Sequence, residues 1–152
     1  MLEAETNETK VVKPVEIRQY LLQEDGSFQQ KVIATIDDRQ TRFLVAGDFN
    51  GDGKKELVAA AMKTGLWHIA PPAEPDGDWV KTRFEQTSSG FEHAIYPADL
   101  DGDGTLELYV AGDDQRELRR YVYDPATKQW KKTLLGRLDA DTLTWNIVSA
   151  TI

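Results

Sequence analysis

Asp48-Phe49-Asn50-Gly51-Asp52-Gly53-Lys54-Lys55-Glu56 is the stretch against which the rest of this chain is read. It recurs as Asp99-Leu100-Asp101-Gly102-Asp103-Gly104-Thr105-Leu106-Glu107, 51 residues further on. A short apolar run precedes each copy, Phe43–Ala46 in one case and Ala94–Tyr96 in the other. Another follows, Leu57–Ala60 or Leu108–Ala111. The flanks alternate and are rich in β-branched and aromatic residues, so each acidic loop is predicted to join two strands.

Within the loop the oxygen-bearing residues alternate. Position 1 is Asp48 or Asp99, position 3 Asn50 or Asp101, position 5 Asp52 or Asp103, and position 9 Glu56 or Glu107. Gly53 or Gly104 at position 6 lets the chain turn sharply. Hard oxygen ligands in that order can wrap one Ca2+, with the backbone carbonyl of Lys54 or Thr105 completing the shell. Mg2+ suits the pattern less, because it demands octahedral geometry and keeps its waters. An EF-hand would need a bidentate Glu at position 12 and flanking helices. Position 12 here is Ala59 or Val110. Two Ca2+ sites with a structural role are therefore expected. The alternative, two acidic turns without metal, sits poorly with so many like-charged oxygens crowded together twice at one spacing.

The pattern resembles the FG-GAP or VCBS repeat of integrin-like β-propellers. The residues that carry the resemblance are Ala46–Val58 and Ala98–Val110, and at position 9, where that family more often has Asp, both copies have Glu. The resemblance implies an all-β fold of four-stranded antiparallel propeller blades. It also implies a secreted, periplasmic or cell-surface location. It places the strand entering each loop innermost and the metal loops on the face opposite the usual ligand face.

The chain has 152 residues, 29% charged and 40% hydrophobic, a soluble globular balance that suits one domain. It has no Cys, which excludes disulfides and Cys-based metal or nucleophile chemistry. No apolar run reaches 18 residues, so no membrane span is expected, and residues 1–15 contain no apolar signal-peptide region. The net charge is −8, and the two loops hold seven of the 26 acidic residues. Two bound Ca2+ would leave a charge of about −4. No basic stripe is visible, which argues against nucleic acid as a partner.

Taken in order, residues 1–14 read as a disordered lead. Strands are predicted at 15–22 and 28–36 around an Asp25-Gly26 turn, at 43–47, 56–62, 66–70 and 79–86, and at 94–98, 106–112, 118–123 and 130–135. A last strand is predicted at 145–150. Phe28, Trp79 and Trp130 recur at 51-residue spacing, which reads as packing between blades. The units are approximately 15–42, 43–93 and 94–144, with 145–152 starting the next. That is between two and three blades, whereas closed propellers use about 4–8. The expected partners of such a piece are the remaining blades of a longer chain, favoured here, or copies of itself.

Ligand candidates lie where the repeat varies. Arg42 and His93 occupy equivalent positions, with Thr144 or Trp145 third. Phe91, Glu92 and His93 follow a Ser88-Ser89-Gly90 loop, and Asp114 and Arg116 sit in a polar turn. His68, Tyr96 and Tyr109 read as packing residues. The resemblance favours a non-catalytic module that binds a glycan or a protein. The competing expectation is part of a propeller enzyme acting on polysaccharide, as a lyase or sugar-modifying enzyme, with Arg42 and His93 near the axis as weak catalytic candidates.

Overall fold

A computed structural model describes the backbone of residues 2–3, 5–7, 10–74, 76–90, 94–141 and 143–150, with side chains from Lys13 onward in those spans. The strands are β1 (Leu2–Glu3), β2 (Glu5–Asn7), β3 (Lys10–Lys13), β4 (Val15–Leu22), β5 (Phe28–Ile36), β6 (Gln40–Gly47), β7 (Glu56–Ala61), β8 (Gly65–Ala70), β9 (Val80–Glu85), β10 (Ala94–Ala98), β11 (Glu107–Gly112), β12 (Glu117–Asp124) and β13 (Gln129–Arg137). All pairings are antiparallel. Among the described residues there is no helix, and so none long and apolar enough to cross a membrane.

Two four-stranded meanders dominate. One runs β6-β7-β8-β9, with β1 added beside β6, and the other runs β10-β11-β12-β13. β4 and β5 form a separate hairpin. Among the described residues these sheets close into neither a barrel nor a ring.

β7 is the central strand of the packing. Its sequence, Glu56-Leu57-Val58-Ala59-Ala60-Ala61, shows no polar alternation, which is the mark of a strand covered on both faces. Val58 and Ala60 face the β10–β13 sheet, in a core with Phe49, Leu66, Leu108, Val110 and Tyr121. Ala59 and Ala61 face the β4–β5 hairpin, in a core with Val15, Ile17, Ile36 and Ile69. The β4–β5 hairpin, the β6–β9 sheet and the β10–β13 sheet are thus stacked with the β6–β9 sheet in the middle, and β2 and β3 form a further two-stranded sheet. The first strands of the two meanders, β6 and β10, lie side by side.

A polar cluster fastens the two meanders. Glu85 ends β9 almost fully buried, and its carboxylate accepts from Thr87 N–H and Oγ1 (both 2.7 Å), Lys132 Nζ (2.8 Å) and the Tyr121 hydroxyl (3.1 Å). Burial alone would raise its pKa, but these donors outweigh it and hold the carboxyl at about 2.

Three expectations are corrected. The lead is not wholly without structure: β1 pairs with β6 (Leu2↔Thr41, Glu3↔Gln40), and β2 pairs with β3. The free edge of β6 offers backbone donors and acceptors that an extended segment satisfies. The strand expected at 145–150 is absent, because no neighbouring strand pairs with that backbone. Phe28 does not pack between sheets but is 64% exposed at the hairpin tip, whereas Trp79 and Trp130 do pack against the two cores.

Candidate metal centre

The two acidic loops occupy the same place in their sheets. Loop one joins β6 to β7 and loop two joins β10 to β11. In each, the position-1 carboxylate organises the turn. Asp48 Oδ1 accepts from Gly51 N–H (2.8 Å) and Asp52 N–H (3.2 Å), and Oδ2 accepts from Gly53 N–H (2.9 Å). Asp99 makes the same three bonds, to Gly102, Asp103 and Gly104, at the same distances. The position-6 glycines have φ of 83° and 87°, in the left-handed region that a side chain would strain. The position-7 N–H groups, of Lys54 and Thr105, donate to Asp52 and Asp103 at 2.8 and 2.7 Å.

The position-9 glutamates anchor the loops. Both are fully buried at the start of the second strand. Glu56 accepts from Phe49 N–H (2.9 Å) and from the Asn50 side-chain amide (3.0 Å). Glu107 accepts from Leu100 N–H (3.3 Å) and the Tyr109 hydroxyl (2.6 Å). Burial raises the Glu56 pKa, with the nearby charges of Asp52 and Asp48 adding to it and the Phe49 N–H opposing it. Burial and the bond to Glu107 push the Tyr109 hydroxyl up to about 12.

Carboxylate oxygens of Asp48, Asp52 and Glu56 lie within 4.8 Å of one another, and so do those of Asp99, Asp101 and Asp103. Ligands on opposite sides of a Ca2+ ion, each at about 2.4 Å, stand roughly 4.8 Å apart, so both groups fit that ion. The loops differ in what faces them. The Arg120 guanidinium donates to Asp101 (2.6 Å) and to Glu107, placing a cation within loop two. By strand register its counterpart is His68: Arg120 pairs with Tyr109, and His68 with Val58, the residue 51 positions before Tyr109. His68 lies instead against the rings of Tyr123 and Trp130. Sequence reading passed over Arg120, because the β7–β8 turn is one residue shorter than the β11–β12 turn and the 51-residue offset no longer aligns β8 with β12.

The other candidates fall into three groups. Arg42 and Trp145 come together, the guanidinium 5.2 Å from the centre of the indole ring. Asp114 and Arg116 serve the turn between β11 and β12: Asp114 accepts from the Ser89 hydroxyl (2.7 Å), and Arg116 N–H donates to Gly112 O (2.8 Å). Phe91, Glu92 and His93 lie outside the described residues.

Arg120→Gln is expected to lower the melting temperature in EDTA, because the buried Glu107 loses its cation. Ca2+ should restore most of that loss, and an unchanged melt in EDTA would remove Arg120 from this role. His68 gives a pH dependence. Burial lowers its pKa from 6.5 to about 4. The unfolded chain therefore takes up a proton below pH 6.5 that the folded chain refuses until about pH 4. Stability from this residue is complete above the upper value and declines as pH falls toward the lower one, by about 3 kcal/mol in all. Thermal melts of wild type and His68→Phe across that range check it: the variant should lose the corresponding part of the slope.

Compared with protein-family models, with curated proteins and with solved structures, the chain matches none.

Proposed function

We propose that this chain is a calcium-stabilised β-propeller module that binds a glycan or a protein and has no catalytic activity of its own. The observation that carries the reading is the pair of loops. Each lies between two adjacent antiparallel strands and gathers three carboxylates within one ion's reach. The two meanders supply what blades would need: four strands each, in sequential order, packed face to face through an apolar core. Ca2+ would be held by Asp48, Asp52 and Glu56, with Asn50 and Lys54 beside them, and by Asp99, Asp101 and Asp103, with Thr105 and Glu107 beside them. Bound there, the ion supplies charge neutralisation and cross-links the loop.

A ligand that binds only the folded state stabilises it by about 2.7 kcal/mol at a hundredfold excess over Kd. Saturating Ca2+ should therefore raise the melting temperature of the native chain and EDTA should lower it. The double variant Asp48→Ala, Asp99→Ala should lose the response. A wild-type melt unmoved by either reagent would remove the metal from the account.

A further inference from the structure

The ligand patterns of the two acidic loops differ at position 3, and that difference comes with a cation. Position 3 is Asn50 in loop one and Asp101 in loop two, so loop one carries three carboxylates and loop two carries four. The added acid is matched from outside its loop. Nη2 of Arg120, on β12, donates both to Asp101 Oδ2 (2.6 Å) and to Glu107 Oε1. Three carboxylates give loop one a charge of −3, and four with one guanidinium give loop two the same.

Equal charge does not make the loops equal toward a metal ion. Asp101 and Glu107 stand at positions 3 and 9, two of the places from which oxygens would reach the ion. In loop two both are engaged by a fixed positive group. Glu107 is fully buried, and its other oxygen, Oε2, accepts from Tyr109 and Leu100. Among the described residues, loop one's Glu56 is held instead by Phe49 N–H and the Asn50 amide. Lys54 turns away from that loop, with Nζ 3.3 Å from the Ala73 carbonyl oxygen. The oxygens gathered within 4.8 Å follow the same division: they include position-9 Glu56 in loop one, and come from Asp99, Asp101 and Asp103 in loop two.

An amide such as Asn50 can rotate and offer an ion its carbonyl oxygen, whereas a guanidinium has no acceptor. Arg120 must leave Asp101 and Glu107, or stay beside the ion and repel it. A divalent ion about 5 Å from a guanidinium loses roughly tenfold in affinity even at the dielectric constant of water, and more in a partly buried site. The Arg120 side chain is 31% exposed. β12 is paired with β11 on one edge and β13 on the other, so the guanidinium can withdraw only by turning about its own side-chain bonds.

We propose that Arg120 is a tethered cation that competes with Ca2+ for loop two, so that the ion must displace its guanidinium from Asp101 and Glu107. This rests on the reading of the loops as calcium sites and adds that the chain itself holds down the affinity of one of them. Loop one is spared this competition, because the register counterpart His68 lies against Tyr123 and Trp130.

The test uses the full chain, stripped of metal, labelled with 15N and titrated with Ca2+. The amide signals of Gly53 and Gly104 report the filling of loop one and loop two separately, and the Arg120 Nε–H signal reports the guanidinium. In Arg120→Gln the Ca2+ midpoint at Gly104 should fall by about tenfold or more, while that at Gly53 stays where it is. In the wild-type chain the Arg120 signal should shift in step with Gly104 and not with Gly53, a reading that carries the test if Arg120→Gln does not fold. A Gly104 midpoint that Arg120→Gln leaves unchanged, or an Arg120 signal that stays still while Gly104 saturates, would overturn the competition and leave the calcium reading standing. So would a Gly104 signal that ignores Ca2+ in every protein that folds while Gly53 saturates, which would leave calcium in loop one alone. No saturable change at either glycine in any of them would remove calcium from both loops, and the competition with it.

Discussion

Two carboxylates with no exposure to solvent, Glu56 and Glu107, set the terms for this fold. Each begins the second strand of a meander and holds the backbone N–H of the loop's second residue, Phe49 or Leu100. That bond clamps the acidic loop onto its sheet. Phe49 is in turn part of the apolar core and contacts the Trp130 ring, so the loop and the interface between the sheets are fixed together. A buried carboxylate is costly unless paired or hydrogen-bonded. The chain meets that requirement differently in its two halves. Glu107 has Arg120 and Tyr109, whereas among the described residues Glu56 is held by the loop's own N–H and amide donors, with Asp48 and Asp52 close by.

The same asymmetry shapes the space between the sheets. Arg120 turns toward loop two, while its register counterpart His68 turns toward Tyr123 and Trp130. One strand position thus serves a charge role in one sheet and a packing role in the other. The first strands of the two meanders, β6 and β10, lie side by side, and a cleft opens where β8 and β9 face the β12–β13 hairpin. The Glu85 cluster spans the same two sheets and holds them together at the end of β9.

Much of this was legible in the sequence, for identifiable reasons. The loops announce themselves by alternating acids and glycines, and ten of the eleven strands expected after the lead are present with small shifts at their ends. The flanks of the loops were expected to alternate, but Leu57–Ala61 is an unbroken apolar run buried on both faces. What was not legible depends on pairing. A strand at 145–150 has suitable residues but no partner, and β1 has a partner that only the folded edge of β6 provides. Phe28 shares its spacing with Trp79 and Trp130, yet no sheet covers its end of the hairpin. The identity of the cation on Glu107 required the register between β11 and β12, which a fixed 51-residue offset misses.

Both acidic loops are proposed to hold Ca2+. Calorimetric titration of the metal-stripped chain with Ca2+ tests it most directly. Two ions per chain are predicted, falling to one in Asp48→Ala and one in Asp99→Ala. Absence of saturable heat from the wild-type chain, or a stoichiometry that neither substitution changes, would contradict it.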